Sequence, residues 1–203
     1  LDALFSDFNI NALKTGMLLN ERIITDTASN LRDNKIIKII DPVMVSKTGS
    51  KLLEDSAINA YKELLLPIAD LVTPNIFEAN LLSNSKIHSR EDIENAAKKI
   101  IKLGAKAVLI KGAGLQDMKG KDFFLDLNGR KNWLLNKYVK TENTHGSGCT
   151  LSAAICGYLA LGFDLIDSII KAKLFVERSL ENSYKIGSGP GPLGHGFNFL
   201  KLN

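Results

Sequence analysis

The spacing of hydrophobic positions changes period repeatedly along this chain. Short unbroken apolar runs alternate with longer stretches in which apolar residues recur every three or four positions. Ile36-Ile37-Lys38-Ile39-Ile40 is a β-branched run stopped by Asp41-Pro42. Asp70-Leu71-Val72-Thr73 is closed by Pro74-Asn75, and Ala107-Val108-Leu109-Ile110 ends at Lys111-Gly112. Asn11 to Lys14 is a shorter strand candidate before a turn at Thr15-Gly16. Between these runs, Thr25 to Asn34, Glu54 to Leu66, a segment through Glu78, and Glu91 to Leu103 read as helices. Pro67 and Gly104 mark two of their ends. Short apolar strands separated by helices predict a parallel sheet covered on both faces.

The pattern then changes. Asp122 to Leu127, the turn signal Asn128-Gly129, and Lys131 to Leu135 predict a β-hairpin at one edge of the sheet. Two helices follow, at about 148–161 and 165–185, and then a glycine-rich tail from Gly187 to Gly196. No repeat or low-complexity linker interrupts the chain. The expected architecture is one α/β domain over 1–203, a three-layer α/β/α sandwich with a mostly parallel sheet.

Composition narrows the function. The 203 residues are 45% hydrophobic and 24% charged, with a formal net charge of +4. The positive charges are scattered, without the basic stripe of a nucleic-acid binder. No apolar run reaches the ~18 residues of a membrane span, and no signal peptide is visible. Cys149 and Cys156 on one helix would lie about 10 Å apart along its axis, too far for a disulfide. That usage points to a reducing compartment, the cytoplasm. The opening Leu1-Asp2-Ala3-Leu4-Phe5 lacks Met and reads as the middle of a helix, so the chain is expected to be a piece without its natural N-terminus.

In parallel α/β sheets, ligands bind beyond the carboxyl ends of the strands. Here those ends carry Lys14-Thr15, Asp41, Thr73 with Asn75 and Glu78, and Lys111. Each alone is ordinary for a loop; their coincidence is informative. The sharpest feature is Asn143-Thr144-His145-Gly146-Ser147-Gly148-Cys149-Thr150, followed by Leu151, Ala154, Ile155, Tyr158 and Leu159 on one helix face. The glycines therefore sit at the mouth of a helix. Its free N–H groups and dipole make an anion site there, fit to hold a transferring phosphoryl group. A glycine-capped helix start without function is the alternative. The segment is not the G-x-x-x-x-G-K-[ST] phosphate loop.

Cys149 falls at that N-terminus, a position that favours thiolate. The other reading is a small buried apolar residue, which is the better one for Cys156. Lys173 falls inside an apolar helical arc with Ile169 and Val176, where it either snorkels to solvent or reaches a bound phosphate. The three histidines show no metal-ligand spacing.

These residues carry a family resemblance over essentially the whole chain. Lys14-Thr15-Gly16-Met17-Leu18, Asp41-Pro42-Val43-Met44, Thr73-Pro74-Asn75-Ile76-Phe77-Glu78-Ala79, Val108-Leu109-Ile110-Lys111-Gly112 and the Asn143–Ala154 segment resemble the hydroxymethylpyrimidine phosphate kinases of thiamine biosynthesis, within the ribokinase-like superfamily. Most sugar and pyridoxal kinases of that superfamily carry Asp at the position of Cys149; cysteine points to the pyrimidine branch. The resemblance implies that Cys149 acts near the substrate hydroxyl, with Gly146, Ser147 and Gly148 as the anion hole. Asn75, Glu78 and Asp41 would organise Mg²⁺. Lys111, Lys173 and Asp41 would face the phosphates of ATP, and Met17 and Val43 would line the pyrimidine pocket. It also implies a homodimer. Ser147 stands where Thr is more usual, and Ala113 where many members have a second Gly. The family's first strand and glycine-rich substrate loop would precede Leu1. Two other readings are a cysteine-bearing pyridoxal kinase and a non-catalytic ligand-binding relative. A thiol redox sensor is the weakest, because Cys149 has no resolving cysteine in reach.

Overall fold

The computed structural model describes residues 1–44, 53–112 and 115–197. Ala113, one of the two departures from the family pattern, lies outside them. The chain divides into two compact units, Leu1–Leu134 and Leu135–Asn203.

In the first unit the strands are β1 (Ala12–Thr15), β2 (Ile37–Ile40), β3 (Leu71–Val72), β4 (Ala107–Lys111), β5 (Lys121–Asp126) and β6 (Lys131–Leu135, whose last residue opens the second unit). Among the described residues these six strands form one sheet in the order β1-β2-β3-β4-β5-β6. The first four run parallel, and β5 turns back antiparallel to β4. The helices are α1 (Asp2–Asp7), α2 (Glu21–Leu31), α3 (Asp55–Ala60), α4 (Ile76–Ser83) and α5 (Arg90–Lys102).

A strand order that never reverses, joined by right-handed crossovers, puts the connecting helices on one face of the sheet. The core bears this out. Ile24 and Ala28 of α2, Ala57 of α3, Ala79 of α4 and Ile93 and Ala97 of α5 pack into one cluster with Ile40, Val72, Val108, Ile110, Phe123 and Leu125 of the sheet. The alternate residues Ile39, Leu71, Leu109 and Phe124 point the other way and are equally buried. Both faces of the central strands are therefore covered, as the unbroken apolar runs predict.

Several helix boundaries differ from the sequence expectation. Helix α2 begins four residues before Thr25, because the Asn20 side chain accepts from the Ile23 N–H and caps it. The Glu54–Leu66 helix starts as α3, passes through a π turn at Tyr61–Leu65 and tightens into a 3₁₀ turn at Leu66–Ile68. Pro67 sits in the first turn of that last piece, where its missing N–H costs nothing. The edge hairpin is as expected: Gly129 takes φ +82° in its turn, and Asp126 Oδ1 accepts from the N–H groups of Asn128 and Arg130.

The second unit is built on two helices, α6 (Ser147–Ala160) and α7 (Leu165–Glu181). Asp164 caps α7 through the Asp167 N–H at 2.8 Å. Helix α7 stops four residues before the expected 185. The buried side of α6 is Leu151, Ser152, Ile155 and Leu159. Ala154 and Tyr158, read from the sequence as part of that face, are only half-buried.

Candidate active site

In the first unit, the carboxyl ends of β1 to β4 gather polar side chains at one edge of the sheet. Asp41, just past β2, is buried. Its Oδ1 accepts from the Thr73 hydroxyl at 3.1 Å and from the Lys111 ammonium at 3.2 Å, and Lys14 Nζ lies 3.8 Å from Oδ2. The parallel register between neighbouring strands sets this cluster: Thr15 pairs with Ile40, and Ile40 with Val72, so the residues beyond each strand end side by side.

Lys111 closes β4, and its backbone N–H donates to the Pro74 carbonyl at 2.9 Å. Burial by itself would lower the Lys111 pKa. The carboxylates of Asp41 and Glu78, the hydrogen bond to Asp41 and the charge of Asp122 more than offset it, so the ammonium is held above its ordinary value. Asp122 went unnoticed in the sequence. It sits opposite Lys111 in the β4–β5 register and accepts from the Gly112 N–H at 3.1 Å. Only that pairing reveals it, since an aspartate before Phe123-Phe124-Leu125 looks like an ordinary strand start. Gly112 is required here, because a Cβ would lie 2.1 Å from the Lys121 carbonyl oxygen.

Asn75 and Glu78 form a capping box at the start of α4. The Glu78 N–H donates to Asn75 Oδ1 at 2.9 Å, and the Asn75 N–H to Glu78 Oε2 at 2.8 Å. Glu78 is buried, and desolvation raises its pKa to about 7 against the opposing pull of Lys111 and of hydrogen bonds from the Asn75 and Met44 backbones. A carboxylate so placed is short of positive charge. Mg²⁺ is a hard cation that takes one or two carboxylates and keeps several waters, and Glu78 with Asp41 fits that demand. Among the described residues no group of three metal-binding side chains forms a complete cage.

Met17, past the end of β1, is 53% exposed, and Val43, past the end of β2, is half-buried. Next to Met17 in the chain, the Gly16 carbonyl accepts from the buried Tyr61 hydroxyl at 3.3 Å. Burial pushes that phenol above its ordinary pKa.

In the second unit, the Asn143–Thr150 segment is the mouth of a helix, as the sequence predicts. Gly146 is the N-cap of α6 with φ +83°, a left-handed conformation that suits glycine, and no side chain caps the helix. The Ser147 N–H donates to the Thr144 carbonyl at 3.3 Å. The N–H groups of Gly148 and Cys149, next in the first turn, have no acceptor within the helix. Gly146, Ser147 and Gly148 thus shape the mouth, while Gly148 and Cys149 point the donors. Cys149 is exposed, and neither cysteine forms a disulfide. Cys156 is half-buried rather than core. A groove of about 550 Å³ runs along α6 beside Cys149, lined by Ala153, Gly157, Tyr158, Phe175 and His195.

Lys173 on α7 is 7% exposed, beside the fully buried Ile169 and Ala172. It lies inward on its helix, as the wheel places it.

The sequence profile of the family described as phosphomethylpyrimidine kinase matches residues 1–194. The chain belongs to the phosphomethylpyrimidine kinase family. It is 45% identical over 197 residues to the hydroxymethylpyrimidine/phosphomethylpyrimidine kinase of Synechococcus elongatus, covering 96% of this chain and 74% of that one. A thiamine biosynthesis bifunctional protein of Geobacter sulfurreducens is 37% identical over 196 residues, again 96% of this chain but 40% of the longer relative. Among solved structures, an ADP complex of Bacillus subtilis pyridoxal kinase superposes with a TM-score of 0.88 at 35% identity, covering 98% of this chain and 74% of that one. The fold is thus the α/β ribokinase-like fold expected from the family motifs. No described helix is long and apolar enough to cross a membrane.

Proposed function

We propose that the protein transfers the γ-phosphoryl group of ATP to 4-amino-5-hydroxymethyl-2-methylpyrimidine phosphate, giving the diphosphate used in thiamine diphosphate biosynthesis. The free hydroxymethylpyrimidine is the second acceptor. The observation that carries this reading is the uncapped mouth of α6 with the exposed Cys149 in its first turn. Relatives named as kinases of these pyrimidines and as thiamine biosynthesis enzymes support it.

A phosphate oxygen of the pyrimidine phosphate, or the hydroxyl oxygen of the free pyrimidine, attacks the γ-phosphorus, the bond from that phosphorus to the β–γ bridging oxygen breaks, and ADP leaves. With the free pyrimidine the hydroxyl proton passes to the Cys149 thiolate, or Cys149 holds the hydroxyl in line for attack; with the pyrimidine phosphate Cys149 acts by positioning the attacking oxygen. Charge developing on the transferring oxygens is met by the N–H groups of Gly148 and Cys149 and by the positive end of the helix. Gly146 and Ser147 give the backbone its approach. Lys111 and Lys173 are assigned to the nucleotide phosphates, with Asp41 holding Lys111 in place. Glu78, Asn75 and Asp41 would hold Mg²⁺, directly or through water; when bound it neutralises phosphate charge. Met17 and Val43 are assigned to the pyrimidine ring. The active form is assigned as a homodimer, acting in the cytoplasm where thiols stay reduced.

A cysteine-bearing pyridoxal kinase is the second reading, favoured by the superposition on the Bacillus subtilis enzyme. The deciding experiment is ADP release from MgATP with the pyrimidine phosphate, the free pyrimidine, pyridoxal and ribose offered separately. Turnover on the pyrimidines, lost in Cys149→Ala, is expected. Preference for pyridoxal selects the second reading, and no turnover on any acceptor overturns both.

A further inference from the structure

The glycine-rich tail has no role in the mechanism above, yet it is tied to the mouth of α6 at two places. The His145 N–H donates to the Gly191 carbonyl at 3.2 Å, and the Gly191 N–H donates to Asn143 Oδ1 at 3.0 Å. Three residues after Pro192, His195 Nε2 lies 2.8 Å from Thr150 Oγ1. The path of the tail is tightly set. A Cβ at Gly191 would lie 2.1 Å from the Tyr184 carbonyl oxygen, and one at Gly194 2.1 Å from that of Asn182. The Gly194 N–H donates to the Ser179 carbonyl at 2.9 Å, anchoring the tail on the end of α7.

The proton count at Thr150 assigns a direction to the His195 contact. A threonine hydroxyl has one proton, and that of Thr150 is donated to the Gly146 carbonyl at 2.9 Å. His195 Nε2 must then be the donor to Thr150 Oγ1, which fixes the Nε2–H form of the ring. The imidazole lies parallel to Phe175, with ring centroids 6.2 Å apart and planes within 6°, and Phe175 in turn packs on Phe197 at 5.6 Å. The ring is therefore oriented from both its edge and its face. The chain of bonds runs from His195 through the Thr150 hydroxyl to the carbonyl of Gly146, the residue whose left-handed backbone opens the anion mouth.

We propose that His195 is a positioning residue for phosphoryl transfer: by donating to Thr150 it holds the first turn of α6, and so the Gly148 and Cys149 N–H groups, in the geometry the transferring group needs. This rests on the reading of that mouth as the phosphoryl site. A small misplacement there is costly, because positioning errors of about 1 Å can lower rates by about 10²-fold.

The test uses the full-length protein with His195→Ala, His195→Gln and His195→Asn. The glutamine amide can donate from the ε position, and the shorter asparagine cannot. His195→Ala is expected to lower kcat by about tenfold with KM for both substrates within about twofold. His195→Gln should recover most of that rate, and His195→Asn should not. Thr150→Val should match the alanine variant, and the double variant should be no slower than either single one. Unchanged kcat in His195→Ala, or equal losses in Gln and Ala, overturns the proposal. A loss of turnover that merely follows a fall in Tm does so too. Nitrogen-15 NMR of the imidazole gives a readout independent of activity: a neutral ring protonated at Nδ1 instead of Nε2 overturns it. If the wild type shows no turnover, the kinase reading fails. The NMR then decides the link by itself, and unmoved amide signals of Gly148 and Cys149 in His195→Ala overturn it.

Discussion

The Lys111 ammonium lies 3.2 Å from Oδ1 of Asp41, with the two side chains 14% and 1% exposed. The two charges compensate each other in this buried place, with Lys14 also beside Asp41 and Glu78 also acting on Lys111. Removing one partner of a buried pair leaves an uncompensated charge and costs about 3–5 kcal/mol. Lys111→Met should therefore lower unfolding free energy by that order in urea titration. Adding Asp41→Asn should recover a good part of the loss, since the amide no longer needs a cation. A double variant as unstable as the sum of the two single ones would show that the residues act independently.

Glu78 predicts a pH dependence of opposite sense to most carboxylates. Its ordinary pKa is 4.5, and in the folded protein it is about 7, raised by desolvation. The folded state thus binds this proton more tightly than the unfolded state. The contribution is fully present below the ordinary value and is lost as pH rises through about 7. Glu78→Gln has no such titration. The Tm of the variant minus that of the wild type should therefore rise between about pH 5 and about pH 8. A flat difference would mean that Glu78 is not desolvated as the fold implies.

Mg²⁺ should act on the same residue. At about pH 8, where Glu78 is charged, millimolar Mg²⁺ is expected to raise the wild-type Tm by mass action and to have less effect on Glu78→Gln. Equal shifts in both proteins would remove Glu78 from the proposed metal site.

Cys149 and Cys156 should differ in reactivity. Cys149 is exposed in the first turn of α6, and Cys156 is half-buried two turns on. Iodoacetamide, followed by mass spectrometry, should modify Cys149 first. In the kinase assay with the free pyrimidine as acceptor, Cys149→Ser should lower kcat by about 10²-fold if the thiolate takes the hydroxyl proton. A variant with unchanged turnover at every pH would refute the base role and leave only positioning.

Two glycines should fail for different reasons. Gly146 has φ +83° and open space where a Cβ would go, so Gly146→Ala should cost about 1–2 kcal/mol through backbone conformation alone. Gly112→Ala would put its Cβ 2.1 Å from the Lys121 carbonyl, and the β4–β5 edge would have to move. The Tm of the Gly112 variant should fall further. The reverse order would contradict the packing at that edge.

The strands and the mouth of α6 were legible in the sequence because they rest on local causes. Short apolar runs ended by Asp41-Pro42 or Lys111-Gly112 read as buried parallel strands by their length and their flanking breakers. Two glycines before an apolar helical pattern can only be a helix start with a close-approach backbone. The polar residues at the strand ends were visible for the same reason. Motifs matched to a known family then supplied the chemistry that periodicity leaves open. What the tertiary structure decided depends on partners distant in the chain. Asp122 joins the Lys111 cluster only through the antiparallel register of β4 and β5. His195 meets Thr150 across 45 residues because the tail is pinned to α7. Sequence patterning determines which segments are strands and helices, since those follow from neighbours a few positions away. Which side chains share a site follows from sheet register and burial, and these exist only once the chain has folded.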